Sequence, residues 1–171
     1  MKIAIHGPMC SGKTTISKII QEYDNDYRVY SFGLKVKEIA IELFGMEGKE
    51  RSLLINIANK MKSINPDVWI NYVLKKIEDE KSEKCIIDDL RFQNEADNLE
   101  NWTVIHLVTP LDVRVQRIRD TYENYEDHLK NMGDISEIGG LNLPKNTIQI
   151  DTSMDYDELK NIIYKIISGT Y

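Results

Sequence analysis

The sequence predicts an α/β protein, a five-stranded parallel sheet with helices on both faces. Three observations predict it. Five short apolar runs alternate with stretches whose apolar residues recur at helical spacing. Those runs are apolar nearly throughout, the pattern of strands covered on both sides. Finally, Gly7-Pro8-Met9-Cys10-Ser11-Gly12-Lys13-Thr14 is a complete G-x-x-x-x-G-K-[ST] loop between the first run and the first helical stretch.

Ile3-Ala4-Ile5 is the first strand. From Thr14 a helix follows, with Ile16, Ile19, Ile20 and Tyr23 on one face. Val29-Tyr30-Ser31-Phe32 reads as the second strand and Gly33 as a tight bend after it. Val36, Ile39, Ala40, Leu43 and Phe44 then keep helical spacing until Gly45 ends the helix. A glycine-containing connector leads to a helix that buries Leu54, Ile57, Ala58 and Met61. Asn65-Pro66-Asp67 starts the next one, with Asn65 as N-cap and Pro66 at the first helical position; Trp69, Tyr72, Val73 and Ile77 share a side. Cys85-Ile86-Ile87 is the third strand and ends in Asp88-Asp89. A short helix covers 92–99, and Trp102 to Val108 is the fourth strand. Thr109-Pro110 reads as a cap for a helix with Leu111, Val115, Ile118 and Tyr122. The polar, glycine-punctuated stretch 122–140 is too long for a plain loop. Thr147-Ile148-Gln149-Ile150 is the fifth strand. Asp155 with Glu158 caps a last helix carrying Leu159, Ile162, Ile163, Ile166 and Ile167.

Composition narrows the function. At 171 residues the chain is expected to be one domain. It shows no signal-peptide pattern and no run of the roughly 20 apolar residues a membrane helix needs, so a soluble, intracellular, cytoplasmic protein is expected. Cys10 and Cys85 form neither a disulfide framework nor a metal cluster, and both are expected to be reduced. A net charge of −6 argues against wrapping duplex nucleic acid by charge. A small phosphorylated partner held by a local group of cations is compatible with it. His6 is expected to be structural, and neither His106 nor His128 makes a zinc spacing with a cysteine.

The glycine loop has a mechanism. Its backbone N–H groups wrap a polyphosphate, and the helix behind it adds about half a positive charge. Met9, Cys10, Ser11, Gly12, Lys13, Thr14 and Thr15 are therefore the candidate ATP-binding stretch. Lys13 is expected to reach the β- and γ-phosphates, and the Thr14 hydroxyl to ligate Mg²⁺.

Ligands of such sheets lie at the carboxyl ends of the strands. That rule brings the loop together with 31–35, 88–91, Thr109 and 151–153. Phosphoryl transfer needs cations around the transferring group and a firm hold on the acceptor. Asp88 and Asp89 are candidates for orienting Mg²⁺ or the substrate, and Arg91 for a bidentate phosphate contact. Arg114, Arg117 and Arg119 are close in sequence, with Arg114 and Arg117 on one helix face, at the base of the polar stretch. Phe32, Lys35, Arg51 and Trp69 are candidates on the acceptor side. Each has an alternative. The alternatives are strand-to-helix caps for the two aspartates, a surface ion-pair partner for Arg91, a solvated helix face for the three arginines, helix-start residues for Lys35 and Arg51, and core for Trp69.

Ile87-Asp88-Asp89-Leu90-Arg91-Phe92-Gln93-Asn94-Glu95-Ala96 resembles the D-V-R-F-x-N-E-A signature of the phage- and virus-type deoxynucleoside monophosphate kinases, with Asp89 and Arg91 on its acid and base. Ser31-Phe32-Gly33-Leu34-Lys35 is similar to their S-F-A-x-x-L-K. Arg51-Ser52-Leu53-Leu54 with Asn65-Pro66-Asp67-Val68-Trp69 is similar to R-x-L-L-Q … R-x-x-D-P-D-x-W, and Ser136-Glu137 to a Ser-Glu pair that ends the lid. The resemblance runs from residue 2 to about 165. It departs at Ile55, where the family has Gln, near Lys62, where it has Arg, and at Asp134-Ile135, where it often has His-Pro.

What the resemblance implies is a three-layer P-loop kinase fold in a single domain, 1–171, with an acceptor-binding helical region about 33–80 and a small lid about 114–140. ATP with Mg²⁺ would phosphorylate a deoxynucleoside 5′-monophosphate to the diphosphate. Lys13 and Thr14 would serve the donor and metal, with Asp88 at the metal. Arg91, with Arg51 or Lys35, would hold the acceptor phosphate. Asp89 would assist at the metal or sugar, and Trp69 would line the acceptor pocket. Arg114 and Arg117 would close over the transferring phosphate or adenine, with Asp151 near the adenine. A homodimer is compatible with it. The competing readings are a P-loop kinase for another small acceptor, of the dephospho-coenzyme A, gluconate or phosphomevalonate type, and a nucleotide-binding switch without transfer.

Overall fold

The computed structural model describes residues 1–134 and 140–171. Five strands form one sheet: β1 (Lys2–His6), β2 (Arg28–Tyr30), β3 (Cys85–Leu90), β4 (Thr103–Val108) and β5 (Ile148–Asp151). Their order is β2-β3-β1-β4-β5, and every pairing is parallel. The helices are α1 (Lys13–Tyr23), α2 (Phe32–Phe44), α3 (Arg51–Ile64), α4 (Val68–Asp79), α5 (Gln93–Asp97), α6 (Leu111–Thr121), α7 (Tyr125–Lys130) and α8 (Tyr156–Ser168), with a 3-10 turn at Asn131–Gly133. None of them is long and apolar enough to cross a membrane.

Period-two alternation sends each strand's side chains to opposite faces, and both faces are buried. Ala4, Cys85, Ile87 and Val104 pack with Phe32, Val36, Trp69, Ile70 and Val73 on the side of α2 and α4. Ile3, Ile5, Ile86, Ile105 and Leu107 pack with Ile16, Ile19, Ile20, Leu159 and Ile163 on the side of α1 and α8. Each fully buried isoleucine stabilises the fold by about 1.5–3 kcal/mol relative to exposure. The central strand β1 has β3 on one side and β4 on the other. Chain order reverses there, so the carboxyl end of β1 opens a crevice, and the glycine loop leaves the sheet at that crevice.

Three boundaries differ from the sequence expectation. β2 stops at Tyr30, and α2 begins at Phe32, so Gly33 lies in a first helical turn instead of a bend. The reason is a distant cap, the Asp89 carboxylate described below. Helix α4 starts at Val68; Asn65 Oδ1 still accepts from the Asp67 N–H at 3.0 Å, but the Asn65–Asp67 turn precedes the helix. Thr109 does not cap α6, because its hydroxyl is 2.6 Å from Thr152 Oγ1. Other signals act as read. Gly45 is left-handed at φ 64° and closes α2, and Asp155 caps α8 through the Asp157 N–H at 2.9 Å. The polar stretch after α6 contains α7 and the 3-10 turn; its Ser136-Glu137 and Ile135 lie outside the described residues.

Candidate active site

The glycine loop is held in shape by close packing. Gly12 is left-handed at φ 94°, and Cys10, with φ 58°, adopts the same region despite its side chain. A Cβ on Gly7 would sit 2.7 Å from Ser11 Oγ and 3.0 Å from Leu107 Cβ, so only glycine fits beneath the loop. The Ser11 carbonyl accepts from Thr152 Oγ1 at 2.7 Å, which fastens the loop to the segment after β5. Lys13 Nζ donates to the Gly7 and Pro8 carbonyls, both at 2.7 Å. Burial, with Arg91 next, lowers its pKa to about 7. An ammonium held in this way regains its charge when anionic oxygens come within reach.

A cleft of about 690 Å³ runs from this loop along the carboxyl ends of β3 and β2 to the facing side of α3. It brings together predicted residues far apart in sequence: Met9, Cys10, Gly12, Lys13, Thr14, Thr15, Phe32, Arg51, Trp69, Asp88, Asp89, Arg91 and Arg117 all line it. Among the described residues seven cations border it, adding Lys37, Lys49 and Lys62 to Lys13, Arg51, Arg91 and Arg117, against four acidic residues, Asp88, Asp89, Glu95 and Asp134. The chain as a whole carries −6, so the positive charge is concentrated where a polyanion would lie.

The two adjacent aspartates have different surroundings. Asp89 faces α2: Ser31 Oγ and the Gly33 N–H donate to its Oδ2, each at 2.7 Å, and the Phe32 N–H donates to Oδ1 at 2.8 Å. Asp89 thus caps the start of α2 while also lining the cleft. Asp88 lines the cleft, within reach of the Lys13 charge. Burial, then the Asp89 charge, pushes its pKa up to about 7. A desolvated carboxylate in the cleft that Thr14 also lines fits a hard divalent cation such as Mg²⁺, which takes oxygen ligands.

Arg91 follows β3, and its N–H, like that of Phe92, donates to Glu95 Oε2, at 2.8 and 3.0 Å. Glu95 is only 4% exposed, and burial pushes its pKa up to about 7. Arg51, the first residue of α3, is 8% exposed; burial, then Arg91, lowers its pKa to about 10. The Arg91 charge thus presses on the buried Arg51 guanidinium, and an anion bound beside the two would relieve it. Trp69 is both core and lining: it is 5% exposed and donates from Nε1 to the Ala58 carbonyl at 3.3 Å. Lys62 Nζ stands 3.1 Å from the Phe92 ring centroid, a cation–π contact beside the same cleft.

On the α6 side, Arg117 donates to the Cys10 carbonyl at 3.2 Å and the Thr152 carbonyl at 2.7 Å. It thereby joins the glycine loop to the segment after β5. Arg114 does not line the cleft; its Nε is buried without a hydrogen-bond partner among the described residues. Lys35 is also outside the lining and pairs with Glu38 at 2.9 Å, one turn along α2. Asp151 accepts from the Ser153 N–H and hydroxyl at 2.8 and 2.7 Å and does not border the cleft.

Residues the sequence reading passed over are Lys37, Lys49, Asn59, Tyr122 and Asp134, all in the lining. His128 is fully buried, stacks on Tyr122 with centroids 3.8 Å apart, and places Nδ1 3.3 Å from Met9 Sδ. Period alone did not single these out: Lys37 and Asn59 lie within helices at positions off the apolar stripe, Tyr122 ends a stripe that reads as core, and Lys49, His128 and Asp134 lie in polar stretches.

A family model described as an AAA domain (AAA_18) matches residues 3–137. Over 91 residues the chain is 31% identical to a deoxynucleoside-5′-monophosphate kinase of Escherichia phage T5. That match takes in 45% of this chain and only 36% of the phage protein's length. A sugar kinase from Janibacter sp. HTCC2649 superposes with a TM-score of 0.64 at 15% identity, covering 98% of this chain and 94% of that one. A gluconokinase from Sinorhizobium meliloti 1021 superposes with a TM-score of 0.59 at 12% identity, covering 98% and 91%. At such identities the likeness is one of fold.

Proposed function

As the chain belongs to the AAA domain family of the AAA_18 model, we propose that it is an ATP-dependent kinase whose acceptor is a deoxynucleoside 5′-monophosphate. One observation carries the reading: a single cleft is lined by Lys13 and the glycine loop and also by Arg51 and Arg91. In-line phosphoryl transfer requires cations for both the donor and the acceptor phosphate in one cleft. The partial likeness to the phage deoxynucleoside-5′-monophosphate kinase supports that choice of acceptor class.

The loop N–H groups and Lys13 would hold the ATP phosphates. Thr14 and Asp88 would hold Mg²⁺, which neutralises phosphate charge when bound. Arg51 and Arg91 would grip the acceptor phosphate, and Trp69 and Phe92 would wall the pocket beyond it. Arg117 orients the loop through the Cys10 carbonyl. Arg114, Lys35 and Asp151 keep the looser roles of neighbours to the site.

The test is an ADP-release assay with ATP, Mg²⁺ and each common deoxynucleoside and ribonucleoside monophosphate. Turnover on deoxynucleoside monophosphates is the expected result. A second reading, transfer to another small acceptor, draws on the fold shared with the gluconokinase and the sugar kinase. Transfer to gluconate or a sugar with none to any nucleotide would favour it. ATP binding without transfer to any acceptor would favour a switch.

A further inference from the structure

We infer that Asp127 is a positioning residue for the acceptor grip: from α7 it caps the N-terminus of α3 and thereby fixes where Arg51 stands. The inference rests on the reading of Arg51 as a ligand of the acceptor phosphate.

Helix α3 lacks a cap of its own. Its N-cap residue Glu50 makes no side-chain capping bond, and its first turn carries no acidic residue. Four N–H groups at a helix start need partners from elsewhere. Asp127 supplies them across 75 residues of sequence: Oδ2 accepts from the Ser52 N–H at 3.2 Å and Oδ1 from the Ser52 hydroxyl at 2.6 Å. The Arg51 N–H is bonded to the same carboxylate. Asn131 Nδ2 adds a bond to Ser52 Oγ at 3.0 Å and binds back to the Asp127 carbonyl at 2.7 Å. Asn124 Nδ2 donates to the Lys49 carbonyl at 2.9 Å. Three side chains of one short stretch therefore hold residues 49–52, the segment that presents Lys49 and Arg51 to the cleft.

The other flank of α7 is fixed to the donor loop. His128 contacts Met9 Sδ and stacks on Tyr122. So α7 bridges the loop that would hold ATP and the helix end that would hold the acceptor. Arg51 is almost fully buried, which leaves its guanidinium little freedom to compensate for a shifted backbone. A displacement of about 1 Å at such a contact is enough to weaken in-line transfer severely.

Steady-state kinetics on four proteins test this: wild type, Asp127→Ala, Arg51→Ala and the double variant. Asp127→Ala is expected to raise the KM for the accepted nucleotide about tenfold, the scale of a lost cap, with the KM for ATP within about twofold of wild type. In the Arg51→Ala background it is expected to add nothing to the acceptor KM, because its effect passes through that side chain. Asp127→Asn, which keeps one accepting oxygen, is expected to fall between. A merely structural cap would lower the melting temperature and cost the same in both backgrounds; additive acceptor KM effects would overturn the inference. So would a rise in ATP KM equal to that for the acceptor. An unchanged acceptor KM in Asp127→Ala, with wild type active on nucleotides, would sink this inference alone. A wild type that turns over no nucleotide would remove the reading beneath it and the inference with it.

Discussion

The Gly33 N–H donates to Asp89 Oδ2 at 2.7 Å across 56 residues, so the end of β3 caps the start of α2. The Phe32 N–H and the Ser31 hydroxyl complete the cap on the same carboxylate. Asp89→Ala removes all three bonds and leaves donors at a helix start. It is expected to lower stability by about 2 kcal/mol, measured by urea unfolding. A loss near zero would show that water replaces the carboxylate without cost. Gly33→Ala is the paired variant: its Cβ would lie 3.1 Å from Asp89 Oδ2 and press on the cap, at an expected cost of about 1 kcal/mol.

Gly7→Ala tests the packing under the phosphate loop. The new Cβ meets Ser11 Oγ at 2.7 Å and the Leu107 carbonyl oxygen at 3.2 Å, so the loop must shift. Stability is expected to fall by about 1–3 kcal/mol, with weaker ATP binding as well. Calorimetric titration with ATP and a denaturant curve read the two effects. Wild-type affinity in this variant would mean that the loop adjusts without losing its phosphate-binding shape.

Lys13 and Arg91 are expected to separate kinetically. Lys13→Ala removes the cation over the glycine loop and is expected to weaken both ATP binding and turnover. Arg91→Ala is expected to leave ATP binding nearly intact and to cost transfer about 2–5 kcal/mol, the range for a buried charged contact. Equilibrium binding of ATP beside single-turnover rates distinguishes them. Full activity in Arg91→Ala would reject its role at the acceptor phosphate.

The sheet was legible because its strands are short, apolar and buried on both faces, as at Ile86 and Ile105. The loop was legible because Gly7, Gly12, Lys13 and Thr14 stand at fixed spacing between strand and helix. The start of α2 was not, because the group that caps it, Asp89, lies 57 residues from Phe32 and only the folded sheet brings them together. The docking of α7 was hidden for the same reason: Asp127 and Ser52 carry no local sign of each other. Propensity and period report neighbours in sequence; caps made across the sheet leave no such trace. Lys35 shows the converse, since a motif match placed it at the acceptor while its nearest carboxylate, Glu38, holds it along α2.

Glu95 makes the fold depend on pH in a defined direction. Its carboxylate accepts the N–H groups of Arg91 and Phe92 at 2.8 and 3.0 Å, yet burial outweighs those bonds and raises its pKa from 4.5 to about 7. A carboxyl whose folded pKa is raised contributes stability that is fully present below pH 4.5 and is lost as pH rises through 7. The loss across that window is of the order of 3 kcal/mol. Asp88, also raised to about 7, adds a loss of the same sign, so the wild-type curve alone does not isolate Glu95. Glu95→Gln keeps an accepting oxygen for both N–H groups and has no proton to lose. Denaturant unfolding at pH 5 and pH 8 is therefore expected to show the variant gaining on wild type by about 2.5 kcal/mol between the two values. Parallel pH profiles for the two proteins would mean that Glu95 is ionised in the folded state over the whole range, with its two N–H bonds sufficient to hold the charge in place.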